Sequence, residues 1–495
     1  MPAAVAYPAQ RALRWLILAA VGVSAVLLGY LATLETAFLR LDVPSSLPGL
    51  GAAVMGLALA AAVLRQPEAG LLLLSAFVYL DLSQVLVRQH RLPSLLQLLA
   101  FPLLLSAWTR RSAPERRRVM LSPQALLLVL YTLVLLLSTT FARDRALADR
   151  SLAENAKALA VYFLVALMAA STGLVRRAVW VLIGCGALLG GLALVQVLIG
   201  DFSNEYGGLA RIKLAHVYGE AFEPRIAGPL GDPNFFAQIL VILVPLALHI
   251  AWHERRVAGR MLAFASAAVA AAAVVLTYSR GGALALATVL TLSLTSRRIP
   301  VRQTATVGAA AVLLLLLFVP TDFARRLTTL EQFLPGSELE VLHPDSSFQK
   351  RRLLAAAAWT MFLDHPGLGV GAGNYTAHFD EYAGEVGSAA REYEDPAETH
   401  YPHNLYLEIA AETGLLGLAV FGAAVAVSLV SLRRARAAFL AAGDGRTAAL
   451  ARGFETALVG YLVSGVFLHG HFSRYLWLLL GFVAALTALA PRDET

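Results

Sequence analysis

Charged side chains are scarce in this sequence. Asp, Glu, Lys and Arg make up 15% of the 495 residues, whereas 58% are hydrophobic. A soluble protein of this length needs far more charged surface, so the composition excludes an ordinary soluble enzyme. Apolar runs of about 17 to 25 residues recur from end to end, and each is long enough to cross a bilayer. The sequence therefore predicts a polytopic membrane protein.

Three further features that the sequence lacks narrow the possible fold class of the membrane protein. The apolar runs are continuous and lack the alternation of spanning strands, so we expect helices. The chain has one cysteine, Cys185, and an intramolecular disulfide is therefore impossible. No internal repeat marks a solenoid or a duplicated domain. The expected fold is all-α.

About fourteen (12 to 14) transmembrane helices are predicted from the apolar runs. The first run, from about Trp15 to Thr33, follows Arg11 and Arg14 and is interpreted as an uncleaved signal anchor. The spans are expected to start near Trp15, Ser46, Gly70, Leu92, Leu121, Ala156, Ala178, Asn234, Met261, Gly282, Arg302, Asn404, Gly453 and Ser473.

Arginine-rich short loops orient these spans. If the N-terminus is cytoplasmic and the spans alternate, every strongly basic short loop falls on the cytoplasmic side. These loops are "TRRSAPERRRVM", "GLVRRA", "HERRVAGR", "SRRIPVRQ" and "SLRRARAAF". The formal net charge of +7 is assigned to these loops and not to nucleic-acid binding. We expect both termini in the cytoplasm.

Three segments then face the other side of the membrane: residues 201–233, the turn "YSRGG" and residues 321–403. The last is too long for a simple connection, and "SFQKRRLLAAAAWTMFLDHPGLGVGAGNY" within it predicts an amphipathic helix followed by a glycine-rich turn. The chain divides accordingly into four regions. These are N-terminal helices (1–200), central helices with arginine-bearing turns (201–320), a large extracytoplasmic loop (321–403) and C-terminal helices (404–495).

Two arginines on this side are candidates for a site. Arg225 precedes the turn "GPLGDPN"; it is either a solvated loop residue or a ligand group, and Asp232 or Asn234 can cap the following helix. Arg280 stands almost alone among apolar residues. It either reaches towards lipid headgroups or points into a polar cavity, and the second interpretation is slightly favoured.

Four histidines on the same side, His400, His403, His469 and His471, raise the possibility of zinc. That interpretation is the weaker one, because no cysteine ligand lies nearby. A catalytic base needs one histidine only, and an imidazole is suited to proton transfer near neutral pH.

Glu408 and Glu412 lie one helical turn apart and share a face. They orient His403, bind sugar hydroxyls, or mark an interfacial helix before the true span begins near Leu415. "GLGVGAG" is not a phosphate-binding P-loop, because no Lys–Ser pair follows it.

If Arg225, Arg280 and His403 converge, they can perform one reaction. Two guanidinium groups match the oxygens of a diphosphate and retain their charge. A histidine beside them can accept the proton of an attacking hydroxyl, while the arginines stabilise the leaving diphosphate. No acidic cluster that would hold magnesium is present on this face. The pattern predicts metal-independent glycosyl transfer from a lipid-linked donor.

The stretches "RIAGPLGDPNFFAQ", "YSRGGALAL", "DHPGLGVGAGNY" and "PHNLYLEIAAETGLLG" together resemble the O-antigen ligase and polymerase superfamily of bacterial envelope enzymes. The match covers roughly residues 200 to 420. The resemblance implies a glycosyltransferase-C-like membrane fold in the bacterial inner membrane, with a periplasmic active site and no cofactor. It implies inverting transfer of a glycan from undecaprenyl diphosphate to an acceptor.

The resemblance also implies site residues. By motif, the catalytic positions are His403, Arg280 and Arg225. Substrate-binding positions are expected at Asn404, Glu408, His400 and Arg474, and no metal ligand is expected. The favoured acceptor is the lipid A core, as in a ligase; a growing glycan chain (polymerase) or a protein (O-oligosaccharyltransferase) is the alternative. A hypothesis of another class is a flippase for the lipid-linked glycan, which the nearly charge-free midplane of the spans disfavours, Asp81 being the clearest exception.

Overall fold

A computed structural model of the chain describes residues 58, 61, 63–90, 102–106, 108, 112–218, 221–295, 346–386, 400–471 and 473–491. The spans expected near Trp15, Ser46, Leu92 and Arg302 lie outside these residues. Helices dominate the described part. They are α1 Pro67–Tyr79, α2 Leu82–His90, α3 Ala113–Met120, α4 Pro123–Ser138, α5 Arg145–Met168, α6 Thr172–Ile199, α7 Pro233–His253, α8 Val257–Leu276, α9 Arg280–Thr295, α10 Ser346–Asp364, α11 Tyr375–Val386, α12 Leu405–Ala441, α13 Gly445–Gly465 and α14 Arg474–Ala488.

Six of the described helices are long and apolar enough to cross a membrane, or seven if one bent pair forms a single broken span. The bent pair is Pro67–Tyr79 with Leu82–Gln89, at 57°. The helices α9 and α14 are apolar but shorter. These helices confirm an all-α polytopic membrane protein, and the total of about fourteen spans stays a prediction.

Local sequence signals fix where several helices begin. Asp232 caps α7: its carboxylate accepts hydrogen bonds from the backbone N–H groups of Asn234 (2.8 Å) and Phe235 (3.3 Å). The predicted cap at this turn is therefore confirmed, and it is supplied by Asp232. Pro233 follows as the first helical residue, where the missing N–H costs nothing.

Residues 211–228 depart from the helical class. Strand β1, Arg211–Tyr218, pairs antiparallel with strand β2, Ala221–Gly228. The stretch "RIKL" alternates polar and apolar residues, which suits a strand with two different faces and distinguishes it from the continuous apolar runs. The hairpin register sets Lys213 directly opposite Arg225.

The helix α7 lies at the centre of the membrane bundle. Its span window is 83% buried, and it packs against α8, α9 and α13. Phe236, Leu240 and Leu246 are fully enclosed. A helix that is apolar on all sides is expected at such a central position.

The described part of the long 321–403 segment contains α10, a glycine-rich turn and α11. The predicted helix and the glycine-rich turn after it are confirmed. The helix is not clearly amphipathic, because the apolar Trp359 and Leu363 are exposed. The two helices share a small core of their own, which includes Leu354, Met361, Tyr375 and Phe379. This core packs against the first turns of α12.

Charged contacts identify one end of the bundle, which we call the basic end. Arg176 at the start of α6 pairs with Glu254 just after α7 (2.5 Å). Arg433 and Arg452 pair with Glu455, which joins the second half of α12 to α13. Gln124 at the start of α4 bonds the Leu480 carbonyl of α14. Four of the five predicted cytoplasmic loops therefore gather at this end; "SRRIPVRQ" lies outside the described residues.

Candidate functional site

Arg225 connects the hairpin to the turn that carries Arg280. Its Nε and Nη2 donate hydrogen bonds to the Thr277 carbonyl at 2.9 and 2.7 Å, and its side chain is buried. Two hydrogen bonds from one guanidinium to the same carbonyl fix the orientation of the side chain, and the guanidinium keeps its positive charge. The structure thus places Arg225 beside the segment three residues before Arg280.

The turn at residues 277–280 presents Arg280 at the start of α9. Tyr278 has a φ of 53°, and the Ser279 hydroxyl accepts a hydrogen bond from the Gly282 N–H at 3.2 Å. Gly281 permits close packing, because a Cβ there would come within 2.8 Å of the Phe467 side chain. The turn therefore lies against Phe467, in residues 466–471, which we call the histidine turn.

His403 approaches the same histidine turn from another direction. It has a φ of 47° and immediately precedes Asn404, the N-cap residue of α12. Asn404 caps that helix by accepting from the Tyr406 and Leu407 N–H groups, both at 3.0 Å, and its amide donates to the Val466 carbonyl at 3.1 Å. His403 is thereby held at the end of the bundle that also holds Arg225 and Arg280, which we call the site end.

Aromatic rings surround the imidazole of His403. The ring of His469 meets it edge to face, with centroids 5.1 Å apart. His469 is itself stacked on Tyr401 at 4.2 Å and contacts Phe235 of α7 at 5.2 Å. The Nδ1 atom of His403 is buried and makes no hydrogen bond within the described part of the chain.

The electrostatic surroundings keep His403 uncharged. Burial lowers the pKa of its imidazole from the usual 6.5 to about 3, and His469, Arg351 and Lys213 act in the same direction, whereas Asp232 opposes them. Burial also lowers the pKa of His469. The imidazole is therefore neutral in the unliganded protein, as a general base must be, and the charge of a bound anionic ligand would raise its pKa towards the range that suits proton transfer.

Two cations near His403 were not identified from the sequence. Lys213 lies opposite Arg225 in the hairpin and pairs with Asp232 at 3.4 Å. Arg351 lies in α10, close enough for its charge to lower the pKa of both His403 and His469. The sequence offered one signal for each: the polar–apolar alternation of "RIKL" for Lys213 and the basic start of α10 for Arg351. Neither signal shows that the residue faces the site.

Glu408 holds the histidine turn in place. Its carboxylate is buried, accepts a hydrogen bond from the Gly470 N–H at 2.6 Å and lies 3.2 Å from Nδ1 of His471. The structure therefore shows a positioning contact for this predicted substrate ligand, one helical turn after Asn404.

Glu412 attaches the glycine-rich turn to α12. Its carboxylate accepts from the Gly373 N–H at 2.8 Å and from the Tyr375 N–H at 3.4 Å. The Val370 N–H also donates to the Ala411 carbonyl at 2.9 Å. These hydrogen bonds connect the glycine-rich turn after α10 to α12.

The same segment fills a break in α12 at Gly414, which has φ 65° and ψ −165°. This backbone conformation is essentially restricted to glycine. The Leu415 N–H, which the break frees, donates to the Pro366 carbonyl at 2.7 Å. The break lies one residue before Leu415, where the sequence predicts the start of the true span.

The remaining two predicted substrate ligands have packing or ionic partners. His400 stacks on Phe379 of α11 with centroids 4.4 Å apart, and its carbonyl accepts from the Thr376 hydroxyl. Arg474 pairs with Asp81 at 2.8 Å, at the bend between α1 and α2. Their substrate-binding roles stay predictions, as do those of Asn404 and Glu408.

Within the described residues, no group of three or more His, Cys, Asp or Glu side chains is arranged to hold a metal ion. His403 and His469 pack ring against ring, and His471 faces Glu408. The zinc hypothesis from the four histidines thus has no matching cluster in this part of the chain.

Comparison with models of known protein families matches residues 265–422 to the family described as O-antigen ligase. The matched range contains Arg280, Arg351, His403, Glu408 and the break at Gly414, whereas Arg225 and the hairpin precede it. A search of curated proteins finds no match to the chain.

Proposed function

The chain belongs to the O-antigen ligase/polymerase superfamily, and from that premise we propose that it is a ligase-type glycosyltransferase. It moves a glycan from undecaprenyl diphosphate to the lipid A core at the periplasmic face of the inner membrane. The observation that carries this proposal is the buried, uncharged imidazole of His403 held among cations at one end of the bundle.

His403 acts as the general base. The acceptor hydroxyl oxygen attacks the anomeric carbon of the donor sugar while its proton passes to the imidazole. Attack from the side opposite the diphosphate inverts the configuration at that carbon. A positioned base of this kind contributes about 10²- to 10⁴-fold to the rate.

The arginines act on the leaving group. As the bond between the anomeric carbon and the diphosphate oxygen breaks, its electron pair stays on that oxygen, and undecaprenyl diphosphate departs. Arg280 and Arg351 supply positive charge near this oxygen, and Arg225 adds charge while fixing the 277–280 turn. Fixed cations in a site that excludes water stabilise such developing charge strongly.

The location of the site suits a lipid-linked donor. The site end and the basic end are separated by α7, whose 21 residues span about 30 Å. A donor whose tail lies in the bilayer brings its diphosphate to the depth of the headgroups, where the first residues of α7, α9 and α12 meet.

Reconstitution of the full chain in lipid vesicles tests the proposal. With labelled undecaprenyl-diphosphate glycan and lipid A core, we expect product with or without EDTA. His403→Ala is expected to abolish the product, whereas His253→Ala, at the basic end of α7, is expected to retain it. Wild-type turnover in His403→Ala would overturn the catalytic assignment.

The acceptor is tested in the same assay. Replacing lipid A core by a carrier-linked glycan chain or by a protein acceptor separates a ligase from a polymerase and from a protein O-oligosaccharyltransferase. Product with only one of these alternatives would reassign the acceptor and leave the role of His403 intact.

One observation favours a second function, transport of the lipid-linked glycan. The bent pair α1 and α2 carries a buried Asp81–Arg474 ion pair at its bend. Transporters use broken helices with ionisable groups in this way. Movement of labelled carrier across the bilayer without a new glycosidic bond, lost in Asp81→Asn, would support transport over transfer.

A further inference from the structure

A large crevice opens at the basic end, far from the site just described. Its volume is about 770 Å³, and it lies where α3 covers the ends of α4, α12 and α14. This volume falls within the roughly 300 to 1,000 Å³ of sites that bind small molecules. It is distinct from the histidine turn, because α4 and α14 run the length of the bundle between them.

The mouth of the crevice is positively charged. Arg117 and Arg118 line it from α3, both are exposed, and neither forms an ion pair within the described part of the chain. The acid in the same helix, Glu115, bonds the N–H and hydroxyl of Ser112 at 3.0 Å. Two guanidinium groups at one opening match an anionic, phosphate-bearing group.

The interior of the crevice is mostly apolar. Leu121, Ala484 and Ala488 contribute to its walls, and the hydroxyls of Ser122 and Thr487 lie among them. A free phosphate or sugar would gain little from such walls, whereas an acyl chain would bury apolar surface against them.

The depth of the crevice corresponds to a membrane interface. Trp108 is exposed, and Arg116 lies over its ring at 4.7 Å while donating to its carbonyl. Exposed tryptophans and arginines collect where hydrocarbon meets headgroups. Basic pockets between spanning helices at this level bind anionic lipid headgroups.

We propose that this crevice is a binding site for an anionic phospholipid of the leaflet at the basic end. Arg117 and Arg118 hold the headgroup phosphate, and an acyl chain enters between α4, α12 and α14. This inference stands apart from the transferase proposal, because it uses none of the residues of the site end.

Lipid binding to the purified full chain tests the proposal. Native mass spectrometry counts phosphatidylglycerol and phosphatidylcholine molecules retained by the protein. We expect preferential retention of phosphatidylglycerol, weakened about tenfold or more in the double variant Arg117→Gln/Arg118→Gln. The matched control is Arg255→Gln/Arg256→Gln, which removes two exposed arginines at the same end but outside the crevice, and it should bind as the wild type does.

A second variant distinguishes the crevice from surface charge. Thr487→Phe fills the crevice and leaves both arginines in place, so it should also release phosphatidylglycerol. Equal losses in the two arginine pairs, equal retention of phosphatidylcholine, or full binding by folded Thr487→Phe would each overturn the proposal. If Thr487→Phe does not fold, the comparison of the two exposed arginine pairs decides it.

Discussion

Both ends of the bundle contain several positively charged side chains, but the groups that contact these side chains differ. At the basic end, Arg433, Arg436 and Arg452 surround the buried carboxylate of Glu455, so opposite charges compensate one another. At the site end, the Arg225 guanidinium donates two hydrogen bonds to the Thr277 carbonyl, which is a neutral backbone group. The comparison teaches that arginines at one end are held by a buried carboxylate, whereas the buried arginine at the other end is positioned by a backbone carbonyl.

The largest expected effect tests the compensated end. Glu455→Ala removes the carboxylate that three arginines share; because Arg433 and Arg436 are partly exposed and can be solvated, we expect a cost of about 1.5–3 kcal/mol. Thermal unfolding in detergent should show a large fall in Tm, while any folded fraction keeps its transferase activity. A stable Glu455→Ala protein with lost activity would contradict the division of roles between the ends.

Arg280→Ala tests the site end. We expect at least about a tenfold loss of turnover, equivalent to about 1.4 kcal/mol, because charge on the leaving diphosphate loses a fixed cation. Expression and Tm should stay normal. Arg434→Ala, an exposed arginine at the basic end, serves as the matched control. Wild-type turnover in Arg280→Ala would remove its role in stabilising the leaving group.

The smallest expected effect concerns the charge of His403 itself. Because burial and neighbouring cations lower its pKa to about 3, the imidazole should stay neutral between pH 7 and pH 5 in the unliganded protein. Proton uptake then favours the unfolded chain, so the contribution of His403 to stability is lost as the pH falls from the usual pKa of 6.5 towards 3.

The pKa of His403 can be measured by ¹⁵N NMR of protein with labelled histidines. The signal of His403 is assigned by its absence in His403→Ala. A titration midpoint near 6.5 would show that His403 is solvated, and the cationic surroundings of the site would then need to be reconsidered.

Sequence reasoning reached the features that depend on local chemistry. The Asp232 cap follows from a carboxylate before a proline and an apolar run. The break at Gly414 lies where the polar residues of α12 end, and the start of the true span near Leu415 stays a prediction. It also placed Arg225, Arg280 and His403 on one side of the membrane. It did not show that Thr277 and the histidine turn connect them.

Two residues near the site were not predicted, because their positions follow from contacts between distant parts of the chain. Lys213 matters because hairpin pairing sets it opposite Arg225, and no apolar periodicity reports that pairing. Arg351 matters because the glycine-rich turn docks α10 beside α12 through Glu412 and Gly414. Contacts between segments this far apart in the chain leave no signature in either segment alone.

The break at Gly414 has a consequence for how the protein is seated in lipid. An unbroken helix of 37 residues would measure about 55 Å, nearly twice the ~30 Å thickness of the hydrocarbon layer. With the interruption, only the later part of α12 has to match that thickness, and the segment beginning at Leu405 can keep its own direction. If the bilayer thickness changed, the part of α12 after Gly414 would then tilt to match it. The height of His403 above the lipid surface would stay constant.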